Sequence, residues 1–185
     1  MKPKIATHIV SGFLGAGKTT YLNQLLATKS TKETWVVLVN EAGSSHFQQQ
    51  RLASQGIIVK ELYGGCLCCS AGMPFRVALN QLIKNHQPQR IFIEPAGAGH
   101  LANIKTLLLG EFYQPILTLQ STICLLAHWQ LSDKRFTENS YYKGLLQQAD
   151  KLCFYEDEAE YLANEMAIEY TKPLHKLHYT IDDLT

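Results

Sequence analysis

The sequence predicts a three-layer α/β fold, with a mostly parallel central sheet flanked by helices. Three observations carry that reading. Short apolar runs rich in β-branched residues recur at 5–10, 34–39, 57–62 and 90–94. Segments with apolar residues at helical spacing separate them. The run "TWVVLV" is apolar without alternation, the mark of a strand covered on both faces. Strands joined through helices in this way take right-handed crossovers and pair in parallel.

In order, "IATHIV" (5–10) is the first strand, and "TYLNQLLATK" (20–29) the first helix, with Leu22, Leu25 and Leu26 on one face. The strand at 34–39 follows, then a helix near 47–54 and the strand "IIVKEL" (57–62). "FRVALNQLIKNH" (75–86) is a helix whose apolar side is read as Val77, Leu79, Leu82 and Ile83. The strand "RIFIE" (90–94) leads to a helix at 101–109. A fifth strand falls near 121–126, a sixth at 151–155, and a helix opens at "EDEAEYLANEMA".

Length and charge set limits. The 185 residues suit one domain, 1–185, and 46% hydrophobic content is ordinary for a globular core. A net charge of +1 gives no basic field for nucleic acid. No apolar run approaches the roughly 20 residues of a membrane-spanning helix, so no membrane partner is expected. The apolar N-terminal stretch runs straight into Gly17-Lys18-Thr19, so it reads as a strand rather than a cleaved leader, and the expected location is cytoplasmic. Five cysteines, an odd count, are in that compartment thiols or metal ligands rather than disulfides.

Gly12-Phe13-Leu14-Gly15-Ala16-Gly17-Lys18-Thr19 fits G-x-x-x-x-G-K-[ST], after a strand and at the opening of a helix. This is the context of a phosphate-binding loop, and it specifies the fold as that of a P-loop NTPase. The glycines let backbone N–H groups turn toward phosphate oxygens at the positive end of the helix. Gly12, Gly15, Ala16, Gly17, Lys18, Thr19 and Thr20 are therefore the nucleotide-binding candidates, with Lys18 on the β- and γ-phosphates and the Thr19 hydroxyl on Mg²⁺. Such a site needs carboxylates for Mg²⁺ and water. Glu41 and Glu94 end their strands at the edge where open α/β sheets bind ligands, and Gly97 can bring a backbone N–H to a γ-phosphate.

Three cysteines in "GGCLCCS", Cys66, Cys68 and Cys69, crowd a glycine-rich turn. Neighbours so close make poor disulfides, but they can aim three sulfurs at one centre. Three thiolates suit Zn²⁺, Cu(I) or a cobalt-like ion and leave a fourth position for His, Glu, water or a partner's ligand. His46 and His100 lie in loops of the same edge. Cys124 and Cys153, inside apolar strands, read as packed core thiols, and His8 as a core residue of the first strand.

With "GFLGAGKTT", "VNEAG", "GGCLCCS" and "IEPAGAGH" in that order, the sequence resembles the CobW-like GTPase metal chaperones, relatives of UreG and HypB. The resemblance covers residues 5 to about 105 well. It implies a metallochaperone that binds Zn²⁺ or a similar metal through Cys66, Cys68 and Cys69, with GTP binding and hydrolysis gating transfer to a client metalloprotein. It also implies GTP/GDP and Mg²⁺ as cofactors, weak GTPase activity, a nucleotide-dependent homodimer, Glu41 in a first switch segment, and Glu94 with Gly97 in a second. Two departures stand out. Where the family carries Asn-Lys-x-Asp to read guanine, this chain has Tyr155-Glu156-Asp157-Glu158, so guanine selectivity is not implied. Ala127-His128 stands where relatives carry an aspartate. The family's smaller C-terminal domain is expected to be absent.

The competing reading is a catalytically inactive metal-binding or regulatory module on a degenerate GTPase fold. A P-loop kinase or ATPase would need an arginine-rich lid, for which "SDKRF" (132–136) is the only faint candidate.

Overall fold

The computed structural model describes residues 3–29, 32–39, 49–62, 72–95, 98–155 and 174–177. Strand β1 (Ile5–Gly12) carries the chain into the glycine loop and helix α1 (Lys18–Ala27). β2 (Trp35–Val39), α2 (Gln49–Ser54), β3 (Ile57–Glu61) and α3 (Met73–His86) follow. Next come β4 (Arg90–Glu94), α4 (Ala98–Leu109), β5 (Leu117–Leu119) and β6 (Ile123–Leu126). Three helices, α5 (His128–Leu131), α6 (Lys134–Thr137) and α7 (Ser140–Gln148), lead to β7 (Lys151–Phe154). The last described strand is β8 (Leu174–Lys176).

The strands lie in the order β3-β2-β4-β1-β6-β7-β8, and every described pairing is parallel. β1 is thus central, with β4 on one edge. On its other edge β5 pairs with Ile5–Thr7 and β6 with Val10–Gly12. All these strands point one way, so their carboxyl ends share one edge of the sheet.

The apolar pattern builds the three layers. In β2, Val36 and Leu38 face one core, together with Leu79 and Leu82 of α3, Leu101 and Ile104 of α4, and Leu145 of α7. Trp35, Val37 and Val39 face the opposite core, with Tyr21, Leu22 and Leu25 of α1 and Leu52 of α2. Alternation is invisible in the sequence of β2 because both faces are dry. At about 25 cal/mol per Å² of apolar surface, these two layers supply the main stabilisation of the sheet.

The strand expected at 121–126 begins only at Ile123, and β5 was not foreseen. The cause is local. Gln120 N–H is still bonded to Thr7 O of β1, but Thr122 N–H is taken by the Asp150 carboxylate at 2.7 Å, so the chain leaves β1's ladder between β5 and β6. Val77 is 48% exposed and lies off the buried face of α3, which Phe75, Ala78, Leu79 and Leu82 form instead. His8 is fully buried and stacks on Phe92 at 5.1 Å, and Cys124 and Cys153 are buried free thiols, as expected. The helix expected at "EDEAEYLANEMA" lies outside the described residues. Among the described residues, no helix is long and apolar enough to cross a membrane.

Candidate nucleotide and metal site

The glycine loop leaves the carboxyl end of β1 and turns into α1 through Gly15 and Gly17, with φ of 81° and 83°. Gly17 is the N-cap of α1. It has no side chain to cap the helix, and the first turn holds no acidic residue, so the positive end of α1 is left to an external anion. Lys18 is buried, and its Nζ donates to Phe13 O at 3.3 Å, a long contact that a phosphate oxygen would displace. Donor type, helix dipole and lysine fit a polyphosphate.

Thr19 points to the neighbouring strand. Its Oγ1 donates to Glu94 Oε1 at 3.2 Å, and Glu94 is fully buried at the end of β4. The parallel β1–β4 register, Ile9 opposite Ile93, sets this meeting: the chain beyond β1 forms the loop while β4 ends at the carboxylate. A hydroxyl and a carboxylate side by side at the mouth of the loop are hard oxygen donors of the kind Mg²⁺ takes. Ala16 is buried in the core, while Gly15 and Thr20 are exposed. Glu41 and Gly97 lie outside the described residues, but Val39, the last residue of β2, is the register partner of Glu94.

Cys66, Cys68, Cys69 and His46 also lie outside the described residues. β3 ends at Glu61 on the edge that carries the glycine loop, and the described chain resumes at Gly72, the N-cap of α3. Among the described residues, no group of three His, Cys, Asp or Glu side chains is arranged to hold a metal ion. His100 is half-buried in α4. In "SDKRF", Arg135 is 85% exposed and ion-paired with Asp133 of its own turn at 2.6 Å, so it forms no lid over the loop.

Sequence reasoning missed what holds the loop from the other side. Gln130, buried in α5, donates from Nε2 to Leu14 O at 2.8 Å. Trp129 packs against Gly15, where an added Cβ would meet the indole at 3.1 Å. Tyr155, just past β7, donates from its hydroxyl to Gly17 O at 2.7 Å. The available signal was positional: Trp129 and Gln130 lie just past β6, which pairs with β1, and Tyr155 directly follows β7, the next strand out.

A family model for the CobW/HypB/UreG nucleotide-binding domain matches residues 6–159. The chain belongs to this family. It is 42% identical over 144 residues to the zinc chaperone YeiR of Escherichia coli (strain K12), which covers 78% of this chain and 44% of YeiR. It is 32% identical over 101 residues to the zinc chaperone CobW of Sinorhizobium sp, covering 51% of this chain and 28% of that protein. The chain thus spans less than half the length of these curated relatives. Its fold matches the crystal structure of Zn(II)-bound YjiA GTPase from E. coli, with a TM-score of 0.67 at 23% identity over 95% of this chain and 58% of that one. It also matches HypB from Helicobacter pylori in complex with nickel, with a TM-score of 0.58 at 18% identity over 97% of this chain and 80% of that one.

Proposed function

We propose that this chain is the nucleotide-binding domain of a metallochaperone, in which a bound nucleoside triphosphate gates the hand-over of Zn²⁺ or a similar metal to a client metalloprotein. The observation that carries the reading is the Thr19–Glu94 contact at 3.2 Å beside an uncapped α1 N-terminus, which is the chemistry of a Mg²⁺-triphosphate site. That relatives are named zinc chaperones supports zinc as the cargo.

In this reading the N–H groups of the glycine loop and Lys18 hold the β- and γ-phosphates, and Thr19 and Glu94 orient the cation end. Thr19 and Glu94 would hold Mg²⁺, which would supply charge neutralisation at the phosphates. Glu41 and Gly97 serve as the γ-phosphate sensors, Glu41 with a role at the attacking water and Gly97 with its backbone N–H. Cys66, Cys68 and Cys69, in the stretch of sequence between β3 and α3, hold the metal as cargo. A change in the loops after β2 and β4 on triphosphate binding then biases the cysteine segment, because a ligand shifts an equilibrium by its differential binding to the two states. GTP is a nucleotide this site takes, without guanine selectivity being implied, hydrolysis is slow, and a nucleotide-dependent homodimer is the expected assembly.

The test is stoichiometry by calorimetry on the full chain. The triple change Cys66→Ser, Cys68→Ser and Cys69→Ser should abolish one-equivalent zinc uptake and leave Mg²⁺-triphosphate binding intact. Lys18→Ala should do the reverse. Zinc uptake by a wild-type chain that binds no triphosphate would instead make it a metal-binding module on a GTPase fold.

A further inference from the structure

On the side of the glycine loop away from Glu94, two aromatic rings, Trp129 and Tyr155, lie against the loop glycines. Building on the nucleotide reading above, the polyphosphate has a direction. Its cation-bearing end lies at Thr19 and Glu94, on the β4 side of β1. The nucleoside end must then lie on the other side, over the carboxyl ends of β6 and β7, which follow β1 in the sheet.

Two rings stand there, both fixed to the loop. Trp129 is 50% exposed, lies against Gly15, and meets Phe136 edge-on at 5.2 Å and 90°. Gln130 next to it is bonded to Leu14 O, which ties α5 to the loop. Tyr155 lies on Gly17, where an added Cβ would fall within 3.0 Å of three of its atoms, and its hydroxyl is tied to Gly17 O. Ala127 to Gln130 and Tyr155, which follow β6 and β7 on this side, carry no carboxylate, and Glu156, Asp157 and Glu158 lie outside the described residues. Selecting guanine requires an acceptor for its N1–H and N2–H₂. A ring face requires nothing of the base but its π surface, and every base has one.

We infer that Tyr155 and Trp129 are the nucleoside-binding residues of this site, an aromatic wall that holds a purine by its face and therefore takes GTP and ATP with nearly equal affinity. Tyr155 supplies a ring whose position is set by its bond to Gly17, and Trp129 supplies the more open face. Stacking of one base on one ring is worth about 5- to 150-fold in affinity.

The experiment is calorimetry on the full chain with Mg²⁺ and three probes: GTP, ATP and inorganic tripolyphosphate. The wild-type chain should bind GTP and ATP within about threefold of each other. Trp129→Ala should weaken both nucleotides by about 5- to 150-fold while tripolyphosphate affinity stays within about twofold, and Tyr155→Leu, which also frees Gly17 O, should weaken both nucleotides at least about fivefold more than it weakens tripolyphosphate. Tyr155→Phe keeps a ring and should lose less than Tyr155→Leu. A tenfold or greater preference for GTP would overturn the inference and assign base reading to a carboxylate in the segment 156–158. Equal weakening of tripolyphosphate would also overturn it, because the rings would then only support the loop. Tripolyphosphate binding together with nucleotide affinities indifferent to both rings would overturn it alone. A wild-type chain that binds none of the three probes would sink the nucleotide reading itself, and this inference with it.

Discussion

Replacing Gly17 with alanine puts a methyl group where the Tyr155 phenol already sits. The new Cβ would lie 2.5 Å from the hydroxyl oxygen and 2.9 and 3.0 Å from two ring carbons. Two costs follow. An L-residue at φ 83° costs roughly 1–2 kcal/mol in the left-handed region. The ring must also swing outward and give up its hydrogen bond to Gly17 O, roughly another 1 kcal/mol for a partly buried pair. The sum of about 2–3 kcal/mol lowers the melting temperature by about 4–12 °C for a chain of this length. The decisive assay is a double-mutant cycle by chemical denaturation followed by circular dichroism. In a Tyr155→Ala background the clash is gone, so Gly17→Ala should cost only the backbone share, leaving a coupling of about 1 kcal/mol. An identical cost in both backgrounds, within about 0.3 kcal/mol, would refute the contact between Tyr155 and the N-cap of α1.

Other outcomes follow from the same geometry. Lys18→Ala removes the cation at the loop and should weaken Mg²⁺-triphosphate binding by at least about 30-fold in calorimetry. Gln130→Ala frees Leu14 O and should weaken tripolyphosphate by roughly 3- to 10-fold, a hydrogen bond's worth, because the loop is then less well held. Of the two tryptophans, Trp35 is 2% and Trp129 50% exposed, so acrylamide quenching reports on Trp129 and should fall when nucleotide binds. Burial pushes the Asp150 carboxyl up, but the Thr122 N–H and the Lys105 ammonium outweigh it and hold the group below the usual carboxylate range. Its stabilisation is complete above the unfolded value near ~3.9 and is lost as pH falls through the lower folded value. The stability gap between wild type and Asp150→Asn, measured by urea melts, should therefore be open at pH 7 and close below about pH 4. Added salt should narrow the gap at pH 7, since the Lys105–Asp150 pair is half exposed.

What the sequence made legible tracks where the signal is local. β1, β2, β3 and β4 were readable because each is a run of apolar, mostly β-branched residues. The glycine loop was readable because its spacing and its strand–helix context are both short-range. Glu94 was found because it closes an apolar strand, and the structure places it against Thr19. The break between β5 and β6 was hidden because it depends on Asp150, 28 residues further on, taking the Thr122 N–H. α7 was missed although Asn139 caps it through bonds from Tyr141 and Tyr142 N–H groups, because Gly144 and paired tyrosines weaken its helical signature. The roles of Trp129, Gln130 and Tyr155 were hidden for a similar reason. Each touches the glycine loop across more than a hundred residues of chain. The departure at Tyr155 was visible as a missing guanine element, but only the fold shows that its ring rests on Gly17.

The measurement closest to the central claim is the affinity for Mg²⁺-GTP with and without one equivalent of Zn²⁺, on the full chain. Gating means a coupling free energy between the two sites, and coupling is reciprocal. The account predicts that zinc changes the nucleotide affinity by about 5- to 150-fold, and that nucleotide changes zinc affinity by the same factor. Binding of both ligands with each indifferent to the other would contradict it, leaving a nucleotide site and a metal site that share a fold without sharing a function.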